Sequence, residues 1–167
     1  VRYGGSVIRR LWSILLLALA AWALAQDNPV TVRIESFIVD VITTEGGVRQ
    51  EHFVRATTAR PGQVVEYRVF VTNQGATTLP AGTVVITGPI PPGTVYLDLS
   101  ATPTSERLLT EFTVDGNTFM EAPVLVTAAD GSRRAAAPTE YTAIRWTLLF
   151  GLEPGQEEVL FYRVTVQ

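Results

Sequence analysis

From Val30 onward the chain is a succession of short stretches in which apolar and polar residues alternate one for one, each cut off by Pro, Gly or Asp. A two-residue period is the signature of a strand with one face on a core, and no stretch shows the 3.6-residue period of a helix. The clearest case is 64–72, where Val65, Tyr67, Val69 and Val71 share one side and Glu66, Arg68, Phe70 and Thr72 the other. Further strands are predicted at 30–41, 48–57, 83–87, 94–99, 108–114, 118–127, 141–150 and 157–166, about nine in all. Asp115-Gly116 between two such runs marks a tight hairpin. So many short strands joined by Pro and Gly turns predict an all-β fold, two antiparallel sheets in an immunoglobulin-like Greek-key sandwich. Trp146, on the side shared with Ile144, Leu148 and Phe150, reads as the central core aromatic. Tyr67 and Tyr162 read as core rings whose hydroxyls reach backbone acceptors at the sheet edge. Tyr67-Arg68-Val69-Phe70-Val71 follows Pro61-Gly62-Gln63, and Tyr162-Arg163-Val164-Thr165-Val166 follows Pro154-Gly155-Gln156; these read as two strands with the same task rather than a duplication.

The segment before this pattern is of another kind. Arg2, Arg9 and Arg10 form a basic head, 11–21 an apolar stretch, and Ala23-Leu24-Ala25 an A-x-A site, which together predict a secretory signal over 1–25 cleaved between Ala25 and Gln26. A membrane span needs roughly 20 apolar residues, more than the run 11–25 supplies before Gln26-Asp27-Asn28-Pro29. Arg9-Arg10 lies in a poor context for the twin-arginine route, so the general secretory route is expected. Val7-Ile8-Arg9-Arg10 would serve as a basic head alone, which leaves residues 1–6 as a candidate start-site misassignment. The expected mature chain is a single domain over 26–167, located in a periplasm, at the cell surface or outside the cell. The expectation is that it ends on its last strand, without an anchor or sorting motif.

Removing three arginines takes the formal charge from −3 to about −6. An acidic domain without a basic surface lacks the counterion-release term of nucleic-acid binding. No Cys and a single His exclude disulfides, thiol nucleophiles and thiolate zinc, and leave little for histidine chemistry. His52 has no ligand-spaced partners and reads as a surface residue. Asp115-Gly116-Asn117 and Asp130-Gly131-Ser132 lack the alternating acids of a calcium loop and read as turns. Glu157-Glu158, or Glu51 with Glu111, would be catalytic carboxylates only if a cleft held them together. No nucleophile elbow, phosphate loop or dinucleotide fingerprint is present. The expectation is a non-enzyme with no cofactor and no metal.

Two features point to protein contacts. Alternation places Arg68 and Phe70 opposite Tyr67, and Phe161 and Arg163 opposite Tyr162, so these four are a candidate outward interface of aromatics and arginine. The alternatives are that a flanking loop covers them or that this is the inner face. The long first strand, with Val30, Val32, Ile34, Phe37, Val39 and Val41, is a candidate edge or donor for strand addition to a neighbour, giving a homo-oligomer or filament. The alternative is that it pairs within its own domain.

The run Pro61-Gly62-Gln63-Val64-Val65-Glu66-Tyr67-Arg68-Val69-Phe70-Val71-Thr72-Asn73-Gln74-Gly75 carries a resemblance, with Val84-Val85-Ile86-Thr87, Ile90-Pro91-Pro92-Gly93-Thr94-Val95-Tyr96, Arg145-Trp146-Thr147-Leu148 and Leu152-Glu153-Pro154-Gly155-Gln156. Together these resemble the domain of unknown function eleven family, the conserved-repeat module of bacterial and archaeal surface proteins, over about 30–167. Thr87-Gly88-Pro89 stands where that family usually has an Asp, and 104–138 is longer and less family-like. The resemblance implies a β-sandwich serving as a spacer, adhesive or assembly unit at the cell envelope, and brings no catalytic residues. The alternative is a carbohydrate-binding sandwich, which needs a row of exposed aromatics. A hydrolase accessory would have room only in 104–138.

Overall fold

The computed structural model describes residues 29–167. The expected signal over 1–25, with Ala25 and Gln26 at its cleavage point, lies outside the described residues. Ten strands follow in order: β1 Val30–Thr43, β2 Arg49–Arg55, β3 Val64–Asn73, β4 Val85–Pro89, β5 Thr94–Tyr96, β6 Leu108–Thr113, β7 Leu125–Thr127, β8 Arg133–Ala135, β9 Ala143–Leu148 and β10 Glu157–Val166. All pairings are antiparallel. They build a five-stranded sheet in the order β2-β1-β3-β10-β5, a three-stranded sheet β4-β9-β6, and a small β7-β8 hairpin. The fold is all-β and sandwich-like.

The inner faces follow the alternation. Val65, Val69 and Val71 of β3 and Leu160, Tyr162 and Val164 of β10 are buried against Ile144, Trp146 and Leu148 of β9. Fully burying each large side chain is worth about 1.5–3 kcal/mol, so these strands carry much of the core's driving force. The Tyr162 ring stacks on Tyr67 at 5.2 Å and meets Trp146 at 5.9 Å, and its hydroxyl donates to the Pro89 carbonyl at 2.7 Å. That bond joins the two sheets. Tyr67 has no such acceptor among the described residues; its ring does the packing alone.

Asn73, fully buried, closes the end of the sandwich where the chain crosses between sheets. Its amide donates to the Thr77 and Leu152 carbonyls at 2.9 and 2.8 Å, and its oxygen accepts from the Gly75 amide. A buried amide satisfied this fully costs little and fixes two crossovers at once. The chain does turn at Asp115-Gly116, but not as the tight hairpin expected: a single bridge between Phe112 and Met120 closes the loop 113–119, in which Gly116 takes the left-handed φ of 78° that favours glycine.

The run 118–127 is not one strand. Only Met120 bridges to Phe112, Pro123 offers no N–H to a ladder, and 125–127 turns away to pair with β8, a strand the alternation did not predict. The expected strands at 94–99 and 141–150 are shorter, at Thr94–Tyr96 and Ala143–Leu148.

Candidate interaction site

Arg68, Phe70, Phe161 and Arg163 come together on the outward face of the five-stranded sheet. The β3–β10 register sets Phe161 beside Arg68, Val159 beside Phe70 and Arg163 beside Glu66. With Glu66 and Val159 they line one shallow hollow of about 410 Å³. The four are not alike in exposure. Phe161 and Val159 are 37% and 41% exposed, whereas both arginines are committed inside the chain.

That commitment rests on Glu66, 4% exposed although it lies on the outward face. Its carboxylate accepts from Arg68 Nε at 2.6 Å and from Arg163 Nε at 2.9 Å. The fork of Arg163 is taken by Glu51, at 2.7 and 2.8 Å. Two charge-assisted bonds in parallel hold a guanidinium in one plane, and they pull the Glu51 carboxyl below its ordinary range. Arg68 lies over Phe37 at 4.5 Å and Phe53 at 4.7 Å, while Phe70 is capped by Arg33 at 3.8 Å. The β1–β2 hairpin brings these groups in by reaching across the sheet at this end, so it covers the arginines and leaves Phe161 and Val159 open.

Beside Phe161 the chain leaves β5 and bulges. Leu97 donates its N–H to the Arg163 carbonyl and Thr102 its N–H to the Phe161 carbonyl, so 98–101 projects from the sheet edge with Leu99 at its apex. Leu99 is 93% exposed at a φ of 56°, a left-handed conformation that costs a leucine roughly 1–2 kcal/mol. The flanking residues hold it there. The Asp98 carboxylate accepts from the Leu99 amide at 3.0 Å, Ser100 Oγ donates to the Leu97 carbonyl at 2.5 Å, and the Ala101 amide donates to the Tyr96 hydroxyl at 3.1 Å. Leu97, Leu99, Phe161 and Arg163 share a second hollow of about 440 Å³. Phe161 therefore joins the sheet face and the Leu99 loop into one apolar strip.

The other candidate, β1, pairs inside its own chain, with β3 along Val30–Ile38 and with β2 along Phe37–Thr43. Phe37, Val39 and Val41 belong to the hairpin half. In the first half Val32 and Ile34 stay 45% and 56% exposed, because the three-stranded sheet does not extend beneath them. The Ser36 carbonyl accepts from the Ala56 amide on the side away from β3. By strand parity the backbone groups of Val32 and Ile34 point the same way and meet no partner strand among the described residues.

The chemistry-bearing residues are scattered. His52 is exposed on β2 opposite Asp40. Glu51 is bound to Arg163, and Glu111 accepts from Arg145 at 2.8 and 3.0 Å on the other sheet. Asp115 accepts from the amides of Thr118 and Asn117 and from the Thr113 hydroxyl, which keeps its carboxyl far below the ordinary range. Asp130 accepts from Ser132 in the same manner. Among the described residues no group of three or more His, Asp or Glu is placed to hold a metal, and no helix is long and apolar enough to cross a membrane.

Comparison with known proteins brings no match: no family model, no curated protein and no solved structure aligns significantly with the chain.

Proposed function

We propose that this chain is an exported, non-enzymatic structural or adhesion module of the cell envelope, working through contacts with proteins or with its own copies. On this reading the sheets form an immunoglobulin-like Greek-key sandwich of the kind the conserved-repeat resemblance implies. The observation that carries the proposal is the strip from Val159 and Phe161 to Leu97 and Leu99. Four large apolar side chains are exposed side by side, next to two arginines, Arg68 and Arg163, already paired within the chain. Contact surfaces are built this way, with an apolar centre and few unpaired charges. The open half-edge at Val32 and Ile34 offers a second contact, by strand addition. A carbohydrate-binding sandwich would present ring faces to solvent. Among the described residues Phe161 is the one ring among the exposed large apolar side chains, which favours the first reading.

The test replaces Phe70→Ser and Phe161→Ser together in the chain from Gln26 to Gln167. The expected result is loss of self-association or partner binding, followed by light scattering, with the β-sheet circular dichroism unchanged. Association that persists in the folded variant would refute this face as the contact, and an unfolded variant would place both residues in the core.

A further inference from the structure

On the far side of Leu99 lies a third hollow, of about 260 Å³, unlike the other two. Its floor is Tyr96, Phe112 and Tyr141, three buried rings with centroids 4.9 to 5.8 Å apart. Asp98 and Glu121 stand in its lining. Both are exposed. Glu66, Glu51 and Glu111 are matched with arginine, and Asp115, which lines another hollow, is satisfied by two backbone amides and a hydroxyl. Asp98 and Glu121 have no basic partner among the described residues. An aromatic floor with two unmatched carboxylates is the complement of a long side chain that is apolar along its stem and cationic at its tip.

We propose that this hollow receives an arginine or lysine side chain of a protein partner, with the apolar stem against the rings and Leu99, and the cation between Asp98 and Glu121. The partner segment then carries a basic residue next to an apolar one, the first entering the hollow and the second covering Leu99. The ordered Leu99 loop suits this role. Its conformation is set before binding, so little freedom is lost when a partner closes on it. This inference rests on the protein-contact reading and adds the chemistry of the partner.

The test is a titration of the Gln26–Gln167 chain, labelled for amide NMR, with N-acetyl-arginine amide. N-acetyl-citrulline amide, nearly the same shape without the charge, is the control. A ligand of this size is expected to bind at a dissociation constant on the order of 1 mM, moving the amides of Leu99, Ala101 and Glu121 while the citrulline probe moves them little. Asp98→Asn with Glu121→Gln is expected to weaken the arginine probe by about tenfold and to leave the other amides in place, since an asparagine keeps an oxygen that can accept from the Leu99 amide and Glu121 is exposed. Equal shifts from the two probes would overturn the proposal, as would binding unchanged in the double variant, or no shift at these amides up to about 10 mM. None of these results touches the Phe70 and Phe161 test, so failure here is distinguishable from failure of the protein-contact reading.

Discussion

Tyr162 gives the sharpest test of how the two sheets are joined. Tyr162→Phe removes one bond, from the hydroxyl to the Pro89 carbonyl at 2.7 Å, and keeps the ring on Tyr67 and Trp146. Pro89 is exposed, so water can reach its carbonyl once the hydroxyl is gone, and the cost stays near the net worth of one hydrogen bond, about 1 kcal/mol. For a domain of this size that is a fall of about 4 °C in Tm. Tyr162→Ala also removes a ring buried between the sheets and is expected to cost about 3–5 kcal/mol. Urea unfolding followed by Trp146 fluorescence measures both, because no other tryptophan remains after Gln26. A loss above about 3 kcal/mol for Tyr162→Phe, or below about 1.5 kcal/mol for Tyr162→Ala, would refute the division between bond and packing. Burial also raises the Tyr162 pKa well above its ordinary value. The neutral phenol is thus favoured in the fold, a contribution present in full below about pH 10 and lost as pH rises through the folded value. Tyr162→Phe should flatten part of the alkaline loss of stability.

Three further predictions follow from particular contacts. Ile34→Pro is expected to cost less than about 1 kcal/mol, since that N–H faces away from β3, whereas Arg33→Pro breaks a β1–β3 bond and costs about 2–3 kcal/mol; equal effects would contradict the register. A Cβ at Gly88 would sit 3.0 Å from Trp146 Cζ3 and 3.2 Å from Tyr162 Cε1, so Gly88→Ala should destabilise by about 1–3 kcal/mol through overpacking, and a neutral result in urea unfolding would refute the tight approach. Asp115→Ala should lower stability at neutral pH, because the depressed carboxyl contributes above its unfolded pKa of about 3.9. That gap should narrow as pH falls through the acid range, and a gap independent of pH would show that the turn does not depend on the charge.

The sequence carries the parts of this fold that repeat with a two-residue period. β9 alternates without interruption, and in β3 and β10 the buried apolar residues Val65, Val69, Val71, Leu160, Tyr162 and Val164 lie on the face that alternation selects. β8 escaped because Arg133-Arg134-Ala135 is exposed throughout and shows no apolar face. The run 118–127 misled because its apolar residues continue through Pro123. At the candidate site, parity was enough to bring Phe70 and Phe161 to one face, and Val159 was legible by the same rule. Glu66 was not: it has the parity of an outward residue, and its burial comes from a hairpin that returns from elsewhere in the chain with Phe53 and Glu51. Leu99 carried a local signal in its neighbours, since Asp98 and Ser100 are residues that bond to nearby backbone and hold turns. Its exposure depends on how 97–102 lies along β10, a contact with residues some sixty positions away.

The central claim is that the strip at Phe161 and Leu99 meets another protein in the cell envelope. It is tested most directly by placing a photo-activated cross-linking residue at Phe161, at Leu99 and, as a control, at exposed Thr127, in the full chain made by cells that export it. The account predicts higher-mass protein adducts from positions 161 and 99 and none from 127. No adduct at 161 or 99, or equal adducts at all three positions, would contradict it.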